Sequence, residues 1–142
     1  MKVRIEDGIE LPMDELTLNE YQRKALRTNA KSSDNESYSL FGLFAEVGEI
    51  ADKIAKAVRK EIITINGDFI YEGKNATKDG LSTLEYAEFE NGLKAELGDV
   101  LWFVAHLAHR FSWTLEEVGQ DNIDKLTSRQ KRGVIIGNDD NR

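Results

Sequence analysis

An all-α fold, four helices interrupted by one small β-hairpin, follows from three features of the 142-residue sequence. Only one proline occurs, Pro12, ahead of the first strongly periodic segment, so no later helix is broken by proline. Apolar residues recur at three- and four-residue steps in separate stretches, the spacing of one helix face. Between the second and third stretches the pattern switches to two β-prone runs around an Asn-Gly pair. The length suits a single domain spanning 1–142. With 40% hydrophobic and 32% charged residues, the chain has the composition of a protein that folds.

Thr17-Leu-Asn-Glu20 has the sequence of a capping box and opens a helix with Leu18, Tyr21, Ala25 and Leu26 on its apolar side, ending near Lys31. Ser32-Ser-Asp-Asn-Glu36 is a polar break. From about Ser37, Leu40, Leu43, Phe44, Val47, Ile50, Ala51, Ile54 and Val58 mark a second helix reaching roughly Glu61. Ile62 to Ile65 and Asp68 to Tyr71 then flank Asn66-Gly67, the dipeptide typical of a type I′ hairpin turn. Residues 73–92, punctuated by Gly73, Gly80 and Gly92, read as an insertion loop containing one short helix near Leu81 to Phe89; hairpin and loop together occupy about 62–92. Leu93, Leu97, Val100, Leu101, Val104, Leu107, Ala108 and Phe111 restore helical spacing in a third helix ending near Arg110. Thr114-Leu-Glu-Glu117 is a second capping box, and Leu115, Val118, Ile123 and Leu126 form the inner side of a fourth helix. The tail, about 131–142, reads as loop.

Composition narrows the function classes. A net charge of −7 repels a polyanionic duplex unless basic residues are concentrated in a patch, so duplex nucleic acid is not the expected primary partner. Any anionic substrate needs its charge offset locally, and divalent cations do that. The absence of cysteine removes disulfides, thiolate nucleophiles and Cys-ligated metals, and suits a reducing compartment. The longest apolar run, Val100 to Ala105, is far short of the roughly 20 residues of a membrane span. No apolar h-region follows the first residues. A cytoplasmic protein without a membrane partner is the expectation.

Chemistry concentrates in two matching motifs. Glu46-Val-Gly-Glu49-Ile50 on the second helix and Glu96-Leu-Gly-Asp99-Val100 on the third both read acid, aliphatic, glycine, acid, aliphatic. At about 100° per residue, acids three apart differ by roughly 60° in direction, so each pair projects from one side of its helix, flanking the core face. Four carboxylates at a helix seam, with no lysine inside either motif, repel one another unless a cation is held between them. An all-oxygen set favours a hard ion such as Mg²⁺, which keeps positions for water and phosphate oxygens. Gly48 and Gly98 add weight, because a helical glycine costs about 1 kcal/mol relative to alanine and each occupies the same place in its motif. Close helix approach and room for a ligand would each account for them. Solvated helices also carry acidic pairs, as Glu85 and Glu88 show, and the residues by themselves leave both readings open.

Other candidates carry a bland alternative beside the functional one. His106 and His109 lack a glutamate three residues earlier, which excludes a di-iron Glu-x-x-His arrangement and favours a packing role. Trp102 and Phe103 lie in an apolar helix and read first as core, with stacking on a base as the second reading. Lys53, Lys56 and Lys60 share one side of the second helix, either as attraction for a polyphosphate or as a solvated stripe. Asn122 falls on the inner stripe of the fourth helix, where an amide either binds substrate or ties helices together. Lys125 and Arg129 follow, suited to phosphate oxygens or to the negative end of the helix.

Gly42-Leu-x-x-Glu46-x-Gly-Glu49 with Glu96-Leu-Gly-Asp99-Val-Leu-Trp102, continued by Asn122-x-x-Lys125-Leu-x-x-Arg129 and reaching back to Tyr21-Gln22, resembles the MazG-type nucleoside triphosphate pyrophosphohydrolases of the all-α NTP pyrophosphatase superfamily. The resemblance implies a MazG-like four-helix bundle completed by oligomerisation, as a homodimer or homotetramer. It implies hydrolysis of a (deoxy)nucleoside triphosphate to the monophosphate and pyrophosphate, in nucleotide-pool control or sanitation. Mg²⁺, with Mn²⁺ as a substitute, would be held by the acids matching Glu46, Glu49, Glu96 and Asp99; Asn122, Lys125 and Arg129 of the matching motif are the candidate substrate contacts, joined by Lys53 from the lysine stripe. Two departures stand out: Ala45-Glu46 replaces the double acid of many relatives, and 62–92 is longer than in compact ones. The reading from another class is a catalytically silent helical module that binds nucleotide or metal.

Overall fold

The structure is a computed structural model of the 142-residue chain, and it describes residues 3–6, 9–12, 16–66, 69–72, 77–78, 81–82 and 84–133, with side chains over 16–65 and 84–133. Four helices dominate: α1 (Leu18–Ala25), α2 (Glu36–Arg59), α3 (Leu84–Arg110) and α4 (Leu115–Lys131). Three two-stranded antiparallel ladders accompany them: β1 (Val3–Glu6) with β2 (Ile9–Pro12), β3 (Ile63–Asn66) with β4 (Phe69–Glu72), and β5 (Thr77–Lys78) with β6 (Leu81–Ser82).

The all-α expectation holds, and the differences have local causes. The first helix ends at Ala25, short of Lys31, and continues only as 3₁₀ turns at Leu26–Thr28 and Lys31–Ser33. Thr28 Oγ1 donates to the Ala25 carbonyl at 2.7 Å and Trp102 Nε1 to the same oxygen at 3.2 Å, so side chains take the acceptor a continuing helix would use. The expected hairpin forms, but Asn66 pairs with Phe69, so Gly67-Asp68 is the connecting dipeptide rather than Asn66-Gly67; those two residues lie outside the described ones. The largest correction concerns α3. The short helix near Leu81 to Phe89 and the helix starting at Leu93 are one element, continuous through Gly92. A single helical glycine costs only about 1 kcal/mol, and packing of Tyr86 and Phe89 against Ala57, Ile62 and Ile63 offsets it. The ladders β1·β2 and β5·β6 are additional to the sequence expectation. The tail from 134 to 142 lies outside the described residues.

α2 and α3 are the principal packing pair. They run antiparallel, with Ser39 against His106, Gly42 against Phe103 and Ala57 beside the Phe89 region. Gly42 is required: a Cβ there would lie 2.0 Å from the Phe103 ring. Both helices end in an αL residue, Glu61 at φ 56° and Ser112 at φ 61°. The Ile62 N–H returns to the Ala57 carbonyl and the Trp113 N–H to the Ala108 carbonyl, each at 2.9 Å, the six-to-one closure of a Schellman turn.

Two small cores result among the described residues. One joins Ala57, Ile62 and Ile63 with Ile54, Tyr86 and Phe89; the other joins Ala105, Ala108 and Leu115 with Tyr21 and Val104. Gln22 locks α1 over the second: its Nε2 donates to the carbonyls of Ala105 and Trp113, and its Oε1 accepts from the Leu115 N–H, each at 3.1 Å. The Thr114 capping box is complete, whereas at Thr17 Glu20 turns instead to Lys24 at 2.6 Å. The inner stripe read on α4 is covered only at Leu115; Val118, Ile123 and Leu126 are exposed in the single chain. On α2, Phe41 and Phe44 are 75% and 69% exposed. Among the described residues no helix is long and apolar enough to cross a membrane.

Candidate metal centre

The antiparallel register brings the two acid motifs face to face. Glu46 of α2 and Glu96 and Asp99 of α3 each offer a carboxylate oxygen, and these oxygens lie within 4.8 Å of one another. Glu96 is 7% exposed, Glu46 half-buried and Asp99 exposed, so the group grades from the helix seam to solvent. Desolvation pushes the Glu46 carboxyl above the ordinary glutamate value, and the charges of Glu49, Asp99 and Glu96 push it the same way. An acid raised by its own neighbours is the signature of a site short of positive charge. Three convergent oxygen donors and no softer ligand fit a hard divalent cation.

Glu49 stands apart from this trio. It is exposed, its oxygens are not among the three that converge, and it acts on the group through its charge on Glu46 and Lys53. Lys53 brings a cation to the trio: its Nζ is 2.9 Å from Glu96 Oε1, and that hydrogen bond holds the ammonium above its usual pKa. Sequence reasoning assigned Lys53 to substrate; its pairing with a candidate ligand became visible only with the helix register. Tyr21, which the sequence places on the apolar side of the first helix and in the resemblance, borders the site: burial and then the charge of Asp99 raise its hydroxyl pKa, and the hydroxyl reaches the Gly98 carbonyl at 3.5 Å.

The motif glycines have a clearer role by subtraction. A Cβ on Gly48 or Gly98 would meet nothing within 4 Å, so close approach of α2 and α3 is not what they serve among the described residues. Trp102 and Phe103 are structural, as the core reading expects: Phe103 is buried, and Trp102 Nε1 donates to Thr28 Oγ1 at 3.0 Å while its ring stacks on His106 at 5.1 Å. His106 is fully buried, its Nδ1 2.6 Å from Ser39 Oγ, in line with a packing role.

The α4 residues lie elsewhere in the single chain. Asn122 and Lys125 are exposed, which corrects the inner-stripe expectation for the amide, because within one chain the apolar stripe of α4 is covered only at Leu115. They line a cavity of about 720 Å³ with Trp113, Glu117 and Val118, and no acid of the trio belongs to it. Arg129, half-buried, sits further along the same helix.

Comparison with known proteins agrees with this geometry. The chain is similar to the Gene 37 protein of Mycobacterium phage L5, 41% identical over 111 residues that cover 78% of this chain and 80% of the relative. The MazG nucleotide pyrophosphohydrolase domain matches residues 35–134, a span that contains both acid motifs and α4. An all-α chain whose paired acid helices converge within that match belongs to the MazG nucleotide pyrophosphohydrolase family.

Proposed function

We propose that this chain is a Mg²⁺-dependent hydrolase that converts a (deoxy)nucleoside triphosphate to the monophosphate and pyrophosphate. The observation that carries the reading is the convergence of Glu46, Glu96 and Asp99 at the seam of α2 and α3. When bound, a divalent ion would offset polyphosphate charge and lower the pKa of a coordinated water. Glu46, Glu96 and Asp99 would hold it, with Glu49 as the fourth acid of the matched motifs. Mn²⁺, with the same preference for oxygen donors, would substitute.

In this reading Asn122, Lys125 and Arg129 meet substrate across a subunit boundary, since the cavity holding the first two shares no residue with the acid trio. Exposed Phe41, Phe44, Val47, Leu97 and Leu101 on α2 and α3, with Val118, Ile123 and Leu126 on α4, supply apolar surface of the kind monomers rarely leave open. A homodimer or homotetramer would cover it.

The test is pyrophosphate release from a panel of nucleoside triphosphates with Mg²⁺, with Mn²⁺ and with chelator. Turnover with either metal, abolished by chelator and by Asp99→Asn without loss of helicity, is expected. Nucleotide binding without turnover on any substrate would favour the silent module instead.

A further inference from the structure

The turn between α3 and α4 leaves two aromatic rings in solvent. Phe111 is 51% and Trp113 54% exposed, and their rings stack at 4.9 Å with 19° between the planes. Trp113 also lines the cavity of about 720 Å³ that holds Asn122 and Lys125, whereas Phe111 does not. Phe111 therefore backs the indole from the side away from the cavity. The indole is also firmly anchored: its backbone N–H closes the turn onto the Ala108 carbonyl at 2.9 Å, and its own carbonyl accepts from Gln22 Nε2 at 3.1 Å. A ring held in this way loses little freedom when a second flat partner covers it.

We infer that Trp113 is a stacking platform for a nucleobase that carries an exocyclic amino group, and that Asp121 and Asn122 read the edge of that base. The inference rests on the reading above in which Asn122 and Lys125 meet a nucleotide. An indole with a ring on one face accepts a base on the other, and every base offers such a face.

The charges of the lining decide which part of a nucleotide sits here. Glu117 and Asp121 stand against Lys125 alone. Glu117 accepts from the Thr114 N–H and hydroxyl at 2.7 and 2.8 Å, neutral donors that leave its charge in place. Among the described residues neither Asp121 nor Lys125 belongs to an ion pair. A lining with one net negative charge repels phosphate and favours N–H donors. The Asp121 carboxylate only accepts, which suits the amino group of cytosine, adenine or guanine and opposes the carbonyl that uracil presents in its place; the Asn122 amide adds a donor and an acceptor together. Lys125 lies ten residues beyond the start of α4, roughly 15 Å along the axis at about 1.5 Å per residue. The base thus occupies the Trp113 end, and the phosphate chain leaves toward Lys125.

The experiment titrates the full chain with cytidine and with uridine, which need neither metal nor phosphate, following tryptophan fluorescence and calorimetry. Cytidine quenches the parent saturably and binds at least about fivefold tighter than uridine. Trp113→Leu removes the quenching, with Trp102, stacked on His106, as the remaining fluorophore, and weakens cytidine about tenfold. Trp113→Tyr retains most of the affinity and serves should the Leu variant unfold. Asp121→Asn erases the preference for cytidine over uridine. Parent-like cytidine affinity in Trp113→Leu overturns the platform, and a shift of that variant toward smaller species in sedimentation with cytidine affinity intact assigns the ring to a subunit contact instead. Absence of nucleoside binding from a parent that still releases pyrophosphate from triphosphates overturns this inference and leaves the hydrolase reading standing; saturable cytidine quenching without turnover on any triphosphate does the reverse.

Discussion

At the scale of single residues, Gly42 and His106 decide more than their chemistry suggests. Gly42→Ala drives a methyl into the Phe103 ring, where the separation would be 2.0 Å. The expected cost is about 1–3 kcal/mol, read as a lowered denaturation midpoint with unchanged slope. Phe103→Leu in the same chain recovers part of it, and a double-mutant cycle measures the coupling. Burial depresses the His106 pKa, against the opposing pull of Asp34. The neutral imidazole is therefore favoured in the folded state. Stability from this group is present above the ordinary value of 6.5 and is lost as pH falls from there through the depressed folded value. His106→Gln flattens that acid limb in a series of thermal melts; an unchanged slope would remove His106 as its source. The packing role of His106 was legible in the sequence, but its pH dependence and the steric demand at Gly42 were not. Gly42 appeared only as one letter of a motif, and the burial of His106 depends on Ser39 and Trp102, which reach it across and along the helices.

At the scale of elements, helices with a strong apolar period were readable and their junctions were not. The bounds of α2 and α4 match the expectation because caps at Asn35 and Thr114 coincide with the onset of periodicity. The junction into α3 was missed because Gly92 looks like punctuation, while the contacts that override it come from Ala57, Ile62 and Ile63, remote in sequence. Both Schellman turns place a non-glycine residue in the left-handed region, at Glu61 and Ser112. Left-handed geometry costs a non-glycine residue roughly 1–2 kcal/mol, so Ser112→Gly raises stability by up to about 1 kcal/mol once the extra unfolded-state entropy of glycine is included. A rise in the chemical-denaturation midpoint checks it. The Thr114 box has a pH signature as well. Backbone and side-chain hydrogen bonds from Thr114 lower the Glu117 pKa, so its contribution exists above the ordinary 4.5 and disappears as pH falls through the folded value. Glu117→Gln removes that dependence.

At the scale of the whole molecule, the cores among the described residues are small and the exposed apolar surface is wide, and that surface is what the proposed association would cover. Phe44→Glu is expected to shift the species seen by analytical ultracentrifugation toward monomer and to lower turnover with it, because substrate contacts from α4 would be lost along with the interface. The acid motifs were legible in the sequence since their matched spacing is local to each helix. Which three of the four acids converge was not, because that depends on the rotation of α2 against α3, which Gly42 and Phe103 set. The proposed chemistry requires those oxygens to share one ion. Anomalous scattering from crystals grown with Mn²⁺ tests it most directly: a peak bounded by Glu46, Glu96 and Asp99 is predicted, and an ion located elsewhere, with that cluster bare, would contradict it.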